Sequence, residues 1–176
     1  MNQEDKKDYI RFLDGDLTGF EHLVIRYKDH LIYFLNQYLH NLDTSEDLAQ
    51  DAFVEILIHK ERFQIDMNFK TYLFTIARHK AIDYIRKNRK IRSVIDIPEP
   101  SLTYEIEDFF IKEEEKLELA KAIKGLKTEY QKAILLVDIE ELPYKDAAKI
   151  IGKTVPQFRV LLHRARKSLQ TALSNT

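Results

Sequence analysis

Cysteine is absent from this 176-residue chain, which excludes disulfides and thiolate chemistry and makes a reducing interior its natural home. The six histidines (His22, His30, His40, His59, His79 and His163) are scattered without the spacing of a metal site, so neither metal nor cofactor is expected. Glycine is scarce, and Gly15, Gly19, Gly125 and Gly152 form neither a P-loop nor a dinucleotide fingerprint. No catalytic constellation remains, so the expectation is a non-enzyme without a small-molecule substrate. With four prolines and no alternation of β-branched and polar residues, strands give way to an all-α fold. No apolar stretch approaches the ~20 residues of a membrane helix, and the opening "MNQEDKKDYIRF" lacks a signal peptide's apolar run. The expected location is therefore cytoplasmic. What is present, 44% hydrophobic residues, suffices for a core in one ordinary domain or two small ones.

Charge is the informative coordinate. The formal net charge of −1 hides opposed blocks. Phe69–Arg92 is strongly basic, with Asp83 the one acid in the stretch "ARHKAIDYIRKNRKIR". Asp96–Glu118 is acidic, opposed only by Lys112 and Lys116, and from Lys149 onward the chain carries six cations and no acid. The junction "SVIDIPEPSLTYEIED" holds Pro98 and Pro100 and no helical period, so it reads as an exposed, flexible linker between two small helical domains. The expected organisation is a domain over 1–92, an acidic linker over 93–115 and a second domain over 116–176. The linker's acidity either keeps it solvated or shields a basic surface.

Three or four helices are expected in the N-terminal part. "LTGFEHLVIRYKDHLIYFLNQYL" sets Phe20, Leu23, Val24, Tyr27, Leu31, Phe34, Leu35 and Tyr38 on a wide apolar stripe, as a helix pair or one long helix. In "TSEDLAQDAFVEILIHK", Thr44 stands three residues before Asp47, a capping-box-like start, and Ala49, Ala52, Phe53 and Ile56 face a core. Opposite them lie Asp47, Gln50, Asp51, Val54 and Ile58, either a surface for a partner helix or a solvated face. Residues Arg62–Asn68 read as a loop. The next helix buries Phe69, Leu73, Ile76 and Ala77, leaving Thr75, His79, Asp83, Arg86, Lys87 and Lys90 on one outer face. Tyr72, Phe74 and Tyr84 are either core aromatics or platforms for unpaired bases.

The C-terminal part has helix-turn-helix spacing. A helix ends near Glu141, Pro143 starts a short one, Gly152 supplies the positive φ that ends it, and a basic helix follows. Ala147, Ala148 and Ile151 suit close contact between the two motif helices. Thr154 caps the second, Gln157 completes a capping box, and Pro156 sits in the first turn, where a missing N–H costs little. Val155, Phe158, Leu162 and Ala165 face inward, leaving Gln157, Arg159, Val160, His163, Arg164 and Lys167 for DNA.

This order of parts resembles the extracytoplasmic function (group IV) sigma factors of bacterial RNA polymerase, in the sigma-70 family. "EDLAQDAFVEIL" is similar to region 2.2, which binds the polymerase; "FKTYLFTIARHKAIDYIRKNRK" resembles the segment that melts and reads the −10 element; "LPYKDAAKIIGKTVPQFRVLLHRARKSL" resembles region 4.2, which reads the −35 element. The resemblance adds Glu55 to the polymerase-binding set. It adds Lys70, Tyr72 and Arg78 to the −10 set, with Asp66, Met67 and Asn68 lining a base pocket beside His79. To the −35 set it adds Lys153, Thr154 and Arg166. Where the family often has Trp and Asn, this chain has Tyr72 and His79, and where its −35 helix carries small residues and an Arg, this chain has Pro156, Gln157 and Leu161. The mode of DNA contact is thus implied and the sequence read is not.

The implied function is an alternative sigma factor that binds the β′ and β subunits of the polymerase core and directs promoter-specific initiation. It is controlled by an anti-sigma factor, membrane-anchored, that responds to envelope or external stress. Arg86–Arg92 would hold phosphates, so binding falls steeply with salt. About twenty linker residues reach roughly 70 Å at ~3.3–3.6 Å each, enough for two turns of B-DNA at ~34–36 Å per turn. Two other readings compete: a stand-alone helix-turn-helix regulator binding duplex DNA without polymerase, and an RNA- or protein-binding helical protein whose basic segments are solvated faces.

Overall fold

A computed structural model of the protein describes residues 3–64, 67–92 and 114–174, which form helices and short connections with no strand among them. The all-α expectation holds. Two compact units divide the chain, Met1–Thr103 and Tyr104–Thr176. The expected linker, apart from its last two residues, lies outside the described residues.

The N-terminal unit contains α1 (Gln3–Leu13), α2 (Leu17–Leu39), α3 (Leu42–Ile58), a 3₁₀ turn (Lys60–Arg62) and α4 (Phe69–Arg92). The long apolar stripe forms one helix rather than two. Asp16 caps α2 by accepting from the Thr18 N–H, and His40, in the left-handed region at φ 49°, ends it. That reversal leaves Asn41 extended, and its side chain, not that of Thr44, caps α3 by accepting the Thr44 N–H at 2.8 Å. Thr44 is a capped donor because the helix is capped three residues earlier than its sequence suggests.

α2 packs against α1, α3 and α4. The core between them is aromatic: Tyr9 meets Phe63 at 4.4 Å and Phe69 at 5.6 Å, Phe12 meets Phe20 at 4.8 Å, and Phe34 meets Phe74 at 5.0 Å. A Cβ at Gly19 would collide with the Asp8 carbonyl oxygen, so the first turn of α2 lies backbone to backbone against α1.

α1 is also held by charge. Arg26 donates to Asp5 at 2.6 Å and to Asp8 at 2.9 Å, while the Tyr27 hydroxyl donates to Asp5 at 2.6 Å and the His22 ring approaches Asp8 at 3.2 Å. Both carboxylates are buried. Burial pushes the Asp8 carboxyl up, but the hydrogen bonds and charges of Arg26 and His22 outweigh it and hold its pKa below the ordinary carboxylate value.

The C-terminal unit contains α5 (Glu114–Lys124), α6 (Thr128–Ile134) running into a π-helical turn (Leu135–Ile139), α7 (Tyr144–Ile151) and α8 (Val155–Ser174). Ile123, Ile134 and Ala165 form one core cluster, covered by Leu119, Leu126, Tyr130 and Leu169. The buried Gln131 side chain donates to the Lys124 and Leu126 carbonyls at 3.1 and 2.8 Å, satisfying the end of α5 and the bend after it. The helix expected to end near Glu141 ends as the π turn, and Glu141 at φ 55° then reverses the chain so that Leu142 is buried. Gly152 closes α7 at φ 70° in a Schellman arrangement, with its N–H on Lys149 O and the Lys153 N–H on Ala148 O. Ala147 and Ala148 are buried as expected, but Ile150 is buried where Ile151 was expected, and Ile151 is half-buried.

Two outcomes follow from these restraints. In the native chain Asp8 is ionised to a lower pH than in the unfolded chain, so the unfolded state binds the proton first. The grip on α1 is complete above the ordinary carboxylate pKa of ~3.9 and is lost as the pH falls through the depressed value. Protection of α1 amides from hydrogen exchange, taken against the intrinsic rate at each pH, should therefore fall below pH 4, and Arg26→Met should lower it already at pH 7. That variant should cost about 2–3 kcal/mol, below the ~3–5 of a fully buried pair because the Arg26 side chain is 30% exposed. Gly152→Ala puts a Cβ on a left-handed residue and should cost ~1–2 kcal/mol in urea unfolding of the C-terminal unit, leaving α1 exchange unchanged.

Candidate nucleic-acid interface

The 3.6-residue period of α8 separates its sides. Phe158, Leu161, Leu162 and Ala165 are buried against the unit's core, which drives Arg159, Val160, His163, Arg164 and Lys167 outward, and all five are exposed. Val155, expected inside, is only half-buried, and Leu161 takes the inward place. The remaining −35 candidates are already engaged. The Thr154 N–H donates to the Gln157 side-chain Oε1 at 3.0 Å while the Gln157 N–H reaches the Thr154 hydroxyl at 3.4 Å, the reciprocal capping box expected from the sequence. Lys153 pairs with Glu129 at 3.5 Å. Arg166 grips Asp138 of the π turn through Nε and Nη2, and its Nη1 donates to the Tyr144 hydroxyl at 3.4 Å.

On α4, Phe69, Leu73, Phe74, Ala77 and Ala81 are buried, so Phe74 is a core aromatic and Ile76 only half-buried. His79, Asp83, Arg86 and Lys87 are exposed and Thr75 is half-buried, its hydroxyl turned back onto the Thr71 carbonyl at 2.6 Å. Asp83 takes part of the charge of Arg86 at 3.0 Å. Tyr72 packs on Phe63 at 5.2 Å, and burial raises its phenol pKa. Tyr84 stands 37% exposed, the one of the three aromatics open to a base. Lys70 lies 5.5 Å over the Tyr27 ring. The Arg78 side chain is half-buried at the end of this basic row, its Nε buried without a hydrogen-bond partner. Met67 and Asn68 are half-buried beside the start of α4, where the Asn68 side chain accepts the Thr71 N–H at 3.4 Å. Asp66 and the Lys90 side chain lie outside the described residues.

On α3, Asp47, Gln50, Asp51, Val54 and Ile58 are all exposed, and Ile58 reaches 65%. Glu55 is half-buried and bound to Lys80 of α4 at 2.8 Å, so it joins two helices. Sequence reasoning missed the surface beside this stripe. A groove of about 270 Å³ between α2 and α3 is lined by Val24, Lys28, Ile32, Phe53 and Val54 among others, with Leu57 and Ile25 exposed on the same two helices. The signal was Ile25, an apolar residue out of phase with the buried Leu23, Tyr27 and Leu31.

Two helical units, each presenting a basic helix and one of them through a helix-turn-helix, define a bipartite DNA-binding protein. Residues 23–91 match the family model of sigma-70 region 2, and residues 116–169 that of sigma-70 region 4. The chain is 29% identical over 162 residues to the RNA polymerase sigma factor YlaC of Bacillus subtilis, across 90% of this chain and 94% of that one. It is 30% identical to the ECF RNA polymerase sigma factor SigC of Mycobacterium tuberculosis, across 75% of this chain and 71% of that one. The solved structure of the sigma factor RpoE from Bartonella quintana is similar at a TM-score of 0.69 and 25% identity, covering 88% of this chain and 96% of its own. The chain belongs to the sigma-70 family, among its extracytoplasmic function sigma factors.

The engaged and free cations of α8 should behave differently. Arg164→Ala should flatten the salt dependence of promoter binding by about one phosphate contact. Arg166→Met should leave that slope unchanged and lower the stability of the C-terminal unit by about 1 kcal/mol, because its charge is held by Asp138 at a half-exposed site. Binding isotherms across salt, beside urea melts, separate the two.

Proposed function

We infer that this chain is an alternative sigma factor that binds core RNA polymerase and directs promoter-specific initiation, with a region 2 domain over 1–92, a linker over 93–115 and a region 4 domain over 116–176. The observation that carries this is the presence of two anchored helices with outward cations, one in each unit. A stand-alone helix-turn-helix regulator needs only α8 and leaves the α4 row and the α3 stripe without a task.

In this reading the α3 surface, Asp47, Gln50, Asp51, Val54 and Ile58, docks on the polymerase β′ and β subunits, with Glu55 positioning α3 through Lys80. Extruding a base costs a few kcal/mol. The protein offsets it with a pocket of Asp66, Met67 and Asn68 beside His79, while Arg78, Arg86, Lys87 and Lys90 hold the strand. α8 enters the −35 major groove through Arg159, Val160 and His163, with Arg164 and Lys167 on phosphates. Lys70, Tyr72, Thr75, Asp83, Lys153, Thr154, Gln157 and Arg166 shape these surfaces from behind or at their edges. The protein is not itself a catalyst, and it works in the cytoplasm, where promoter DNA and polymerase are.

RpoE of Bartonella quintana was solved with the anti-sigma factor NepR. By that likeness an anti-sigma factor covers these faces in the present protein; the family resemblance makes it a membrane-anchored one released by envelope or external stress.

Run-off transcription from a promoter library with bacterial core polymerase, with and without this chain, tests the reading. Start sites sharing two spaced elements should appear only when it is added. Unchanged transcription, with a specific duplex bound by the protein alone, would replace it with the stand-alone regulator.

A further inference from the structure

The outward face of α8 carries one chemical contradiction. Among Arg159, His163, Arg164 and Lys167 stands Val160, 50% exposed, and one turn before it the exposed Pro156 extends the same apolar strip. The inward side of the helix is complete without them, since Phe158, Leu161, Leu162 and Ala165 fill it. Neither residue has a packing role that explains it, and both lie in the first two turns of the helix, the part of a recognition helix that reaches base edges. The polar side chains at that end are held in the cap, where Gln157 Oε1 accepts the Thr154 N–H and the Thr154 hydroxyl accepts the Gln157 N–H, so Gln157 keeps only its Nε2 group to offer a base edge.

The floor of the major groove presents hydrogen-bond donors and acceptors on all four base pairs and one apolar group, the C5-methyl of thymine. An exposed valine centred among cations therefore has one complementary partner there. We propose that Val160 is a specificity-determining residue that reads a thymine of the −35 element through its 5-methyl group, with Arg159 and His163 reading polar edges of the adjoining pairs. The proposal rests on the sigma-factor reading of α8 and adds the chemistry by which one base is chosen. It makes the −35 element an A·T-containing sequence at the position facing Val160.

The probe is promoter DNA in which each thymine of the −35 element, on either strand, is replaced singly by uracil, which removes the methyl and leaves every pairing and groove hydrogen bond in place. Abortive initiation by the reconstituted holoenzyme is the readout. With the native chain, one position should lose about fourfold, the effect of one buried methyl group. Val160→Ser should weaken initiation on the thymine promoter and make thymine and uracil equivalent at that position alone. Because Val160 is half-exposed, the variant should keep native helicity and the native urea midpoint of the C-terminal unit. Three results overturn the proposal while leaving the sigma reading intact: uracil neutral at every position, a thymine preference that survives Val160→Ser, or an element of G·C pairs alone. Absence of any promoter-specific transcript overturns the sigma reading itself.

Discussion

A helix crowded with cations stays folded and aimed only if its other side is buried. That constraint governs both basic helices. In α8 the inward quartet of Phe158, Leu161, Leu162 and Ala165 fixes the rotation of the helix, and in α4 Phe69, Leu73, Phe74, Ala77 and Ala81 do the same. A long α-helix in water gains little from its backbone bonds alone, and like charges spaced three or four residues apart work against it. The cores supply what the sequence of charges removes. Everything outward, from His79 to Lys167, is therefore placed by apolar residues that never meet DNA.

Within that frame the cations fall into two kinds. Arg26, Lys80, Lys153 and Arg166 are paired with acids of other helices or turns, where they join elements together. Arg159, Arg164, Lys87 and Lys167 stand exposed on outer faces. A basic run in sequence thus overstates the charge offered to a polyanion. The structure sorts it, and the sorted set is what counterion release acts on.

Much of this was legible in the sequence because helical period is a strong signal. The stripe of α2, the buried face of α3, the Gly152 turn and the Thr154–Gln157 capping box all follow from spacing and from well-understood caps. What was not legible depended on partners distant in the chain. α1 has no wide stripe of its own, and its anchoring by Asp5 and Asp8 becomes visible only when Arg26 and Tyr27 are brought alongside. The π turn at Leu135–Ile139 has no local signature, and the pairing of Arg166, a member of the −35 set, with Asp138 shows only in the fold. Asn41 was overlooked as a cap because the start of α3 is set by the left-handed His40 before it. The outward set of α8, Gln157, Arg159, Val160, His163, Arg164 and Lys167, by contrast, was readable from its period, while Val155 and Leu161 on the inward side were not. The division of the helix's cations into engaged and free was not readable either.

The division of the core into two units bears on synthesis. Domains fold as units as they emerge, at ~5–20 residues added per second. Among the described residues, the Arg26 contacts that fasten α1 to α2 and the Glu55–Lys80 pair that fastens α3 to α4 lie within the first unit. The N-terminal unit is therefore complete on the ribosome for several seconds before the helix-turn-helix exists, with its cations already facing a cell full of nucleic acid. A nascent chain in that condition holds one half of a bipartite grip, enough to touch a polyanion and too little to stay.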